Sequence, residues 1–323
     1  MDMFNVVFPT SGVTASVLYS PLISQVISFF GSMGGISGAF ILLPYQMSVL
    51  GYTAPSVSGT NHVFNIFAIP SGVYRYVKEG RMAWPLTWVV IAGTLPGVFI
   101  GYYLRVRFLP DPRTFKFFVG CVLLYIGVRI FKELLGGNRG QSAAAKALEE
   151  KFKARTAEIK KERHSKMAAG IPADAVVKTI SVSLRKVEYA FWGERFSFNP
   201  LGMFGLAFVV GIIGGAYGIG GGAIIAPFCV AFFNLPIYTI AGATLMGTFI
   251  TSVAGALFFS ILPATNGASP MPDWPLGILF GVGGFIGMYL GAKTQKYMPQ
   301  KFIKVFVGSA IMFLAIKYIV QYF

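Results

Sequence analysis

The chain has 323 residues, of which 55% are hydrophobic and 12% charged, and its 27 basic and 12 acidic residues leave a formal net charge of +15. Several apolar runs approach or exceed the roughly 20 residues that span a bilayer, more than one soluble core could hide. The positive charge lies in short loops and one linker, which reads as topology signal and attraction to anionic lipid rather than as nucleic-acid binding.

Residues Met1 to Ser16 are mildly apolar and carry one charge, Asp2. No basic n-region or small-residue cleavage site precedes the first apolar run, so no cleaved signal peptide is expected. Val17 to Phe30 leads into a glycine-rich break and Phe40 to Leu50 leads out of it. Val57 to Tyr74 is the next helix, closed by the basic turn Arg75 to Arg81. Trp84 to Tyr103 follows, with Gly93, Gly97 and Gly101 at the spacing of close helix packing. Arg105 to Arg113 reads as a basic loop, and Phe115 to Phe131 ends a first membrane unit, residues 1–135.

Residues 136–200 differ in kind. Lys132 to Arg195 holds 14 basic and 8 acidic residues. Gln141 to Met167 reads as a charged, exposed helix, and the alternation from Val176 to Phe198 as a small hairpin. The expectation is a basic cytoplasmic insert that serves as a solvated spacer and is dispensable for the site. Residues 201–323 then repeat the first unit, with a broken stretch from Leu201 to Asn234 and helices at Ile237–Leu262, Trp274–Ala292 and Phe302–Phe323. Cys121 and Cys229 lie far apart in apolar runs and read as packing residues, with no disulfide or metal spacing.

The chain is organised around Gly214 to Pro227, GGAYGIGGGAIIAP, where six of fourteen residues are glycine. An apolar helix has no need of glycines crowded at one point. Such crowding releases the backbone and lets another group approach it. The earlier GISGAFILLP, Gly35 to Pro44, lies over Gly218 to Pro227 without a gap. In the same register Gly59 falls on Gly242, Asn61 on Thr244, Asn65 on Thr248 and Gly72 on Gly255. Further on, Gly93, Gly97 and Gly101 match Gly283, Gly287 and Gly291, and Arg113, Lys116 and Gly120 match Lys301, Lys304 and Gly308. Matches in one order across both halves establish an internal repeat. Paired glycine-broken segments in matching positions point to a transporter site.

The loop Arg75 to Arg81 is basic, whereas its counterpart Pro263 to Asp273 has no Lys or Arg. The positive-inside rule places them on opposite sides. The expected fold is an all-α polytopic membrane protein of two inverted-topology repeats, each a glycine-broken helix hairpin plus three transmembrane helices. Both termini come out external and the insert cytoplasmic. Arg105, Arg107 and Arg113 on the outer face speak against this order, and parallel repeats remain the alternative.

Outside Lys132 to Arg195 the only acids are Asp2, Glu79, Asp111 and Asp273, all at loops or ends. A buried cation needs a paired charge, so their placement favours an anionic or neutral solute. Helix N-termini restarting at the breaks offer N–H donors and partial positive charge to an anion. The substrate-binding candidates are Gly35, Ser37, Gly38, Asn61, His62, Asn65, Gly220, Gly221, Gly222, Thr244 and Thr248. Each has a plainer reading: the polar side chains as glue between helices, His62 as a packed neutral ring, the glycines as close-packing residues. The GxGGG string lacks the strand and βαβ context of a dinucleotide loop. No nucleophile–base set or metal cluster occurs, so neither an enzyme nor a cofactor is expected.

Both glycine motifs, followed by SGTNHVFNIFAIPSG and AGATLMGTFITSVAG, resemble the TauE/SafE family of membrane permeases. The resemblance covers both membrane halves but not the insert. It implies an inner-membrane exporter of a small sulfur-containing anion, sulfite or an organosulfonate such as sulfoacetate. The expected partners are that anion and the lipid bilayer, with no nucleic acid, and a homodimer stays open. A non-transporting scaffold and a permease for a neutral or cationic solute stay open beside it.

Overall fold

The computed structural model describes residues 4–33, 36–135, 175–263, 269–295 and 300–323, with six positions between 144 and 154. Ten helices carry the fold among the described residues: α1 (Tyr19–Met33), α2 (Ala39–Ser48), α3 (Ser56–Lys78), α4 (Trp84–Tyr103), α5 (Pro112–Leu135), α6 (Pro200–Tyr217), α7 (Ile225–Phe233), α8 (Ile237–Ile261), α9 (Trp274–Thr294) and α10 (Gln300–Val320). Five segments are long and apolar enough to cross a membrane: Trp84–Phe108, Pro112–Lys132, Pro200–Tyr217, Ile237–Ile261 and Trp274–Thr294. The protein is thus a multi-pass helical membrane protein. Helix α3 has the length to span, but its first turns carry Thr60, Asn61, His62 and Asn65, all buried.

Helix starts are written locally. Trp-Pro opens both α4 and α9, placing Pro85 and Pro275 where no helical N–H is lost. Asp273 caps α9 by accepting from Leu276 N at 3.0 Å, and Asn199 caps α6 by accepting from Gly202 N at 3.0 Å. Each cap satisfies one of the donors that a helix N-terminus leaves unpaired. At the other end, α7 stops at Asn234 in the left-handed conformation, φ 53°, as helix C-termini often do.

The two halves pack by exchange. Helix α1 lies along α9, and α6 along α4, so each broken segment is held by the opposite repeat. Helices α3 and α8 cross in the centre, and α5 pairs with α10. The glycine stripes explain this closeness. A Cβ on Gly93 would sit 2.7 Å from the Cβ of Ala207, and one on Gly97 or Gly101 would overlap the Phe208 or Ile212 carbonyl. On α9, a Cβ on Gly283 or Gly287 would overlap the carbonyls of Pro21 or Gln25 on α1. Lipid offers apolar side chains as good a solvent as the protein interior does, so backbone approach of this kind supplies the packing. The outward faces stay apolar, with Val209, Val282, Phe285, Ile286 and Phe313 exposed.

Contacts between loops define two ends. At one end Gln295 donates to Met33 O at 2.7 Å, Arg81 donates to Gln295 at 2.9 Å, and Val177 N donates to Gly80 O at 2.8 Å. At the other, Asp273 accepts from Ser11, Tyr102 donates to Leu262 O at 3.1 Å, and Arg113 donates to Tyr322 O at 2.9 Å.

Three features depart from the sequence expectations. Residues 5–16 form a two-stranded antiparallel hairpin, β1 (Asn5–Phe8) with β2 (Val13–Ser16), anchored when Ser11 N and Oγ donate to Asp273 Oδ2 at 3.0 and 2.7 Å. The expected loop from Arg105 begins instead as a π-helical turn, Leu104–Phe108, that turns Arg105 into the protein, where it is fully buried. The insert ends in three antiparallel strands rather than a hairpin: β3 (Val177–Val182), β4 (Val187–Phe191) and β5 (Glu194–Phe198). Trp192 and Gly193, both at positive φ, make the extra turn inside what reads as one alternating run. This sheet is no free spacer, since Tyr189 is fully buried and its hydroxyl lies 2.9 Å from Thr239 Oγ1 at the start of α8. Burial pushes the Tyr189 phenol above its usual range, so it stays a neutral hydrogen-bonding group. The charged helix expected over Gln141 to Met167 lies mostly outside the described residues.

Candidate functional site

The second break is made by backbone. Gly218 ends α6 at φ 84°, and Gly220 follows at φ 75°, ψ 149°. Both are left-handed conformations that a side chain resists. A 3-10 turn, Gly221–Ile224, then leads into α7. The glycines are also needed for space. A Cβ on Gly220 would lie 2.8 Å from Ser252 Oγ and 2.9 Å from Thr248 Cγ2. One on Gly222 would overlap the Thr244 carbonyl oxygen and approach Thr248 Oγ1 to 2.6 Å. Thus Gly220, Gly222, Thr244 and Thr248 are brought together, as their register implies. Gly221 packs on Thr94 of α4, and its N–H donates to Thr251 Oγ1 at 3.1 Å.

The first break is built with side chains. Ser37 and Gly38 are buried where α2 begins, and Ser37 Oγ accepts from Ala39 N at 3.2 Å. A Cβ on Gly38 would lie 2.5 Å from Ser28 Oγ on α1. Gly35, the first candidate in the motif, lies outside the described residues.

The two breaks meet. Tyr217, the last residue of α6, donates to Phe40 O at 3.0 Å, and the two rings stack with centroids 5.8 Å apart. Asn65 joins them. Its Oδ1 accepts from Ser37 Oγ at the first break, and its Nδ2 donates to Ile219 O at the second, at 3.0 Å. The same amide donates to Ser252 Oγ at 3.0 Å. Asn61, one turn earlier, serves the first break alone, donating to Ala39 O at 3.0 Å and accepting from Gln46 Nε2 at 3.3 Å.

His62 extends the chain of polar groups. Its Nδ1 lies 3.4 Å from Ser252 Oγ, while Nε2 lies near the Gly215 backbone without a hydrogen bond of good geometry. The ring sits against Gly255, where a Cβ would come within 2.6 Å of Nε2. The repeat places Gly72 in the equivalent seat, facing Leu245, which occupies His62's matching position. A seat that accepts leucine in one half and histidine in the other is a packing position to which the first half has added a polar atom.

No acidic side chain belongs to this cluster. It holds amides, hydroxyls, an imidazole and backbone N–H and C=O groups, with the partial positive charge of helix N-termini at each restart. Hydroxyls and amides can turn to donate, so the chemistry suits an uncovalent grip on a small oxyanion. The N–H of Gly221 donates to Thr251, and Asn65 uses both ends of its amide inside the protein.

Sequence reasoning missed Ser252, Thr251, Gln46 and Tyr217. Ser252 lies one helical turn beyond Thr248 on the same face of α8 and was legible by that spacing. It was hidden because its repeat partner is the apolar Ile69, so a search restricted to positions polar in both halves passes over it.

Comparison with known proteins gives the family. Residues 21–318 match the family described as "Sulfite exporter TauE/SafE". The chain is 22% identical over 300 residues to the "Probable membrane transporter protein YunE" of Bacillus subtilis (strain 168), covering 90% of this chain and 93% of that one. It is 27% identical over 116 residues to the "Probable membrane transporter protein YdhB" of the same organism, covering 36% of this chain and 44% of that protein. No solved structure matches. With a match spanning both broken hairpins and every helix around them, the chain belongs to the TauE/SafE family of membrane transporters.

Proposed function

We propose that this protein is a secondary transporter that exports a small sulfur-containing anion, sulfite or an organosulfonate such as sulfoacetate, from a site between the two broken hairpins. The observation that carries this reading is Asn65, which touches both breaks with one amide. A group shared by two helix restarts is where a bound anion would gain most from both. The family description supplies the sulfur oxyanion, and the absence of acidic side chains from the cluster is compatible with an anion. The repeats are read as inverted, with the first hairpin opening toward the Asp273 end and the second toward the insert end. The insert then faces the cytoplasm of a bacterial inner membrane, and both termini face out.

A competing reading, that the glycines and polar groups only pack, is favoured by the complete internal pairing of Asn65. Flux into proteoliposomes decides between them, with sulfite, sulfoacetate and taurine offered separately to wild type and to Gly221→Leu. The expected result is saturable flux of at least one anion, abolished by Gly221→Leu in protein that remains monodisperse. Normal flux in that variant would leave close packing as the better account. Reporter fusions after Phe323 and at Lys160 test the orientation, and placing both on one side would sink the inverted arrangement.

A further inference from the structure

Among the described residues two arginines are fully buried, Arg81 at 1% exposure and Arg105 at 0%. Arg81 is neutralised by Glu79, 2.5 Å away. Arg105 has no carboxylate within ion-pair distance among the described residues. Its Nε donates to Ser58 Oγ at 3.2 Å, its Nη2 to Thr53 O at 3.0 Å and its Nη1 to Leu109 O, while the guanidinium lies over the Phe115 ring, 3.6 Å from its centroid. These contacts satisfy hydrogen bonds but leave a full positive charge uncompensated. A buried charge left so is costly, and the arginine fork matches an oxyanion in shape.

Its position gives that charge a use. Ser58, which accepts from Arg105, donates to Ala216 O at 3.2 Å, within the last turn of α6 before the second break. A Cβ on Gly218 would overlap the Ser58 backbone. Arg105 is therefore one side chain removed from the glycines of the site, on the Asp273 side. Its partners Thr53 and Leu109 lie in turns, not in helices. The π-helical turn, a distortion often found at functional positions, carries Arg105 inward while leaving Arg107 exposed.

The repeat sharpens the point. In the register that matches Gly101 to Gly291, Arg105 falls on Gln295. Gln295 is buried at the opposite end and binds Arg81 and Tyr76. Each end of the site thus has a buried guanidinium at this level, but only the one on the Asp273 side lacks a counter-charge.

We propose that Arg105 is an anion-binding residue on the route between the second break and the Asp273 end, exchanging the carbonyls of Thr53 and Leu109 for an oxyanion in transit. This deepens the functional reading above and rests on it. Sulfite binding is measured by calorimetry on purified, monodisperse protein at low salt. Arg105→Gln should weaken binding by about tenfold or more, the scale of one lost charge-assisted hydrogen bond. Because that variant also loses structural bonds, a second pair keeps the arginine in place. Ser58→Asp supplies the missing counter-charge and should weaken binding comparably, while the isosteric Ser58→Asn should bind sulfite at least tenfold more tightly than Ser58→Asp. Equal affinities in the Asp and Asn variants would overturn the proposal and leave the transport reading standing, since that reading is tested separately by flux through wild type and Gly221→Leu. A wild-type protein that binds neither sulfite nor sulfoacetate would remove both.

Discussion

The two glycine breaks descend from one pattern and are closed by different means. At the second, Gly218 and Gly220 adopt backbone angles that exclude side chains, and Thr244, Thr248, Thr251 and Ser252 of α8 press against the chain. At the first, Ser37 stands in the position of Gly220 with no positive φ, Gly38 leads into α2 at φ −55°, ψ −26°, and the polar groups are the side chains of Ser37, Asn61 and Asn65. The difference teaches that the repeat preserves a bend in the chain while the chemistry at that bend is free to diverge. One half contributes backbone and the other contributes amides, and Asn65 spans the two.

The largest test of this contrast is an exchange of residues between breaks. Gly222 and Ala39 occupy equivalent positions. Gly222→Ala places a methyl on the Thr244 carbonyl, and since backbone cannot yield cheaply the cost should reach about 3 kcal/mol or more. It should appear as a large fall in thermal midpoint together with loss of anion flux. The reverse change, Ala39→Gly, should cost only about 0.5–1 kcal/mol. Similar losses in both would mean that the breaks are equivalent after all.

Next in size is the amide. Asn65→Ala removes the group that joins the breaks and should weaken sulfite binding by about 1–2 kcal/mol, the scale of a hydrogen bond to a charged partner. Thr248, its repeat equivalent, bonds back to Thr244 O on its own helix at 2.8 Å. The near-isosteric Thr248→Val should therefore change binding by less than about 0.5 kcal/mol. Titration calorimetry of both variants checks this, and a Thr248→Val loss as large as that of Asn65→Ala would place the anion between the halves symmetrically.

The smallest effect concerns the docked insert. Tyr189→Phe deletes the bond to Thr239 and should lower stability by about 1 kcal/mol without altering sulfite affinity. A change in affinity with unchanged stability would make the sheet part of the transport machinery. The expectation that the insert is dispensable for the site concerns affinity alone, since removing β4 takes away the partner of Thr239 at the start of α8.

Much of the architecture was written in one dimension. Hydropathy marks spans because a bilayer demands about 20 apolar residues whatever the neighbours, and α4, α8 and α9 begin where Trp84, Ile237 and Trp274 stand in the sequence. The glycine register located both breaks, and the stripes at Gly93 and Gly283 announced close packing, because a missing Cβ is a local property. What the sequence left open depends on partners distant along the chain. That α1 lies on α9 and α6 on α4, that one amide of Asn65 reaches Ile219, and that Arg105 turns inward through a π-helical turn rather than out with its loop are decided by which surfaces meet. Hydrophobicity and spacing record what each residue tolerates, whereas the neighbour that satisfies a buried polar group is chosen only when the helices have packed.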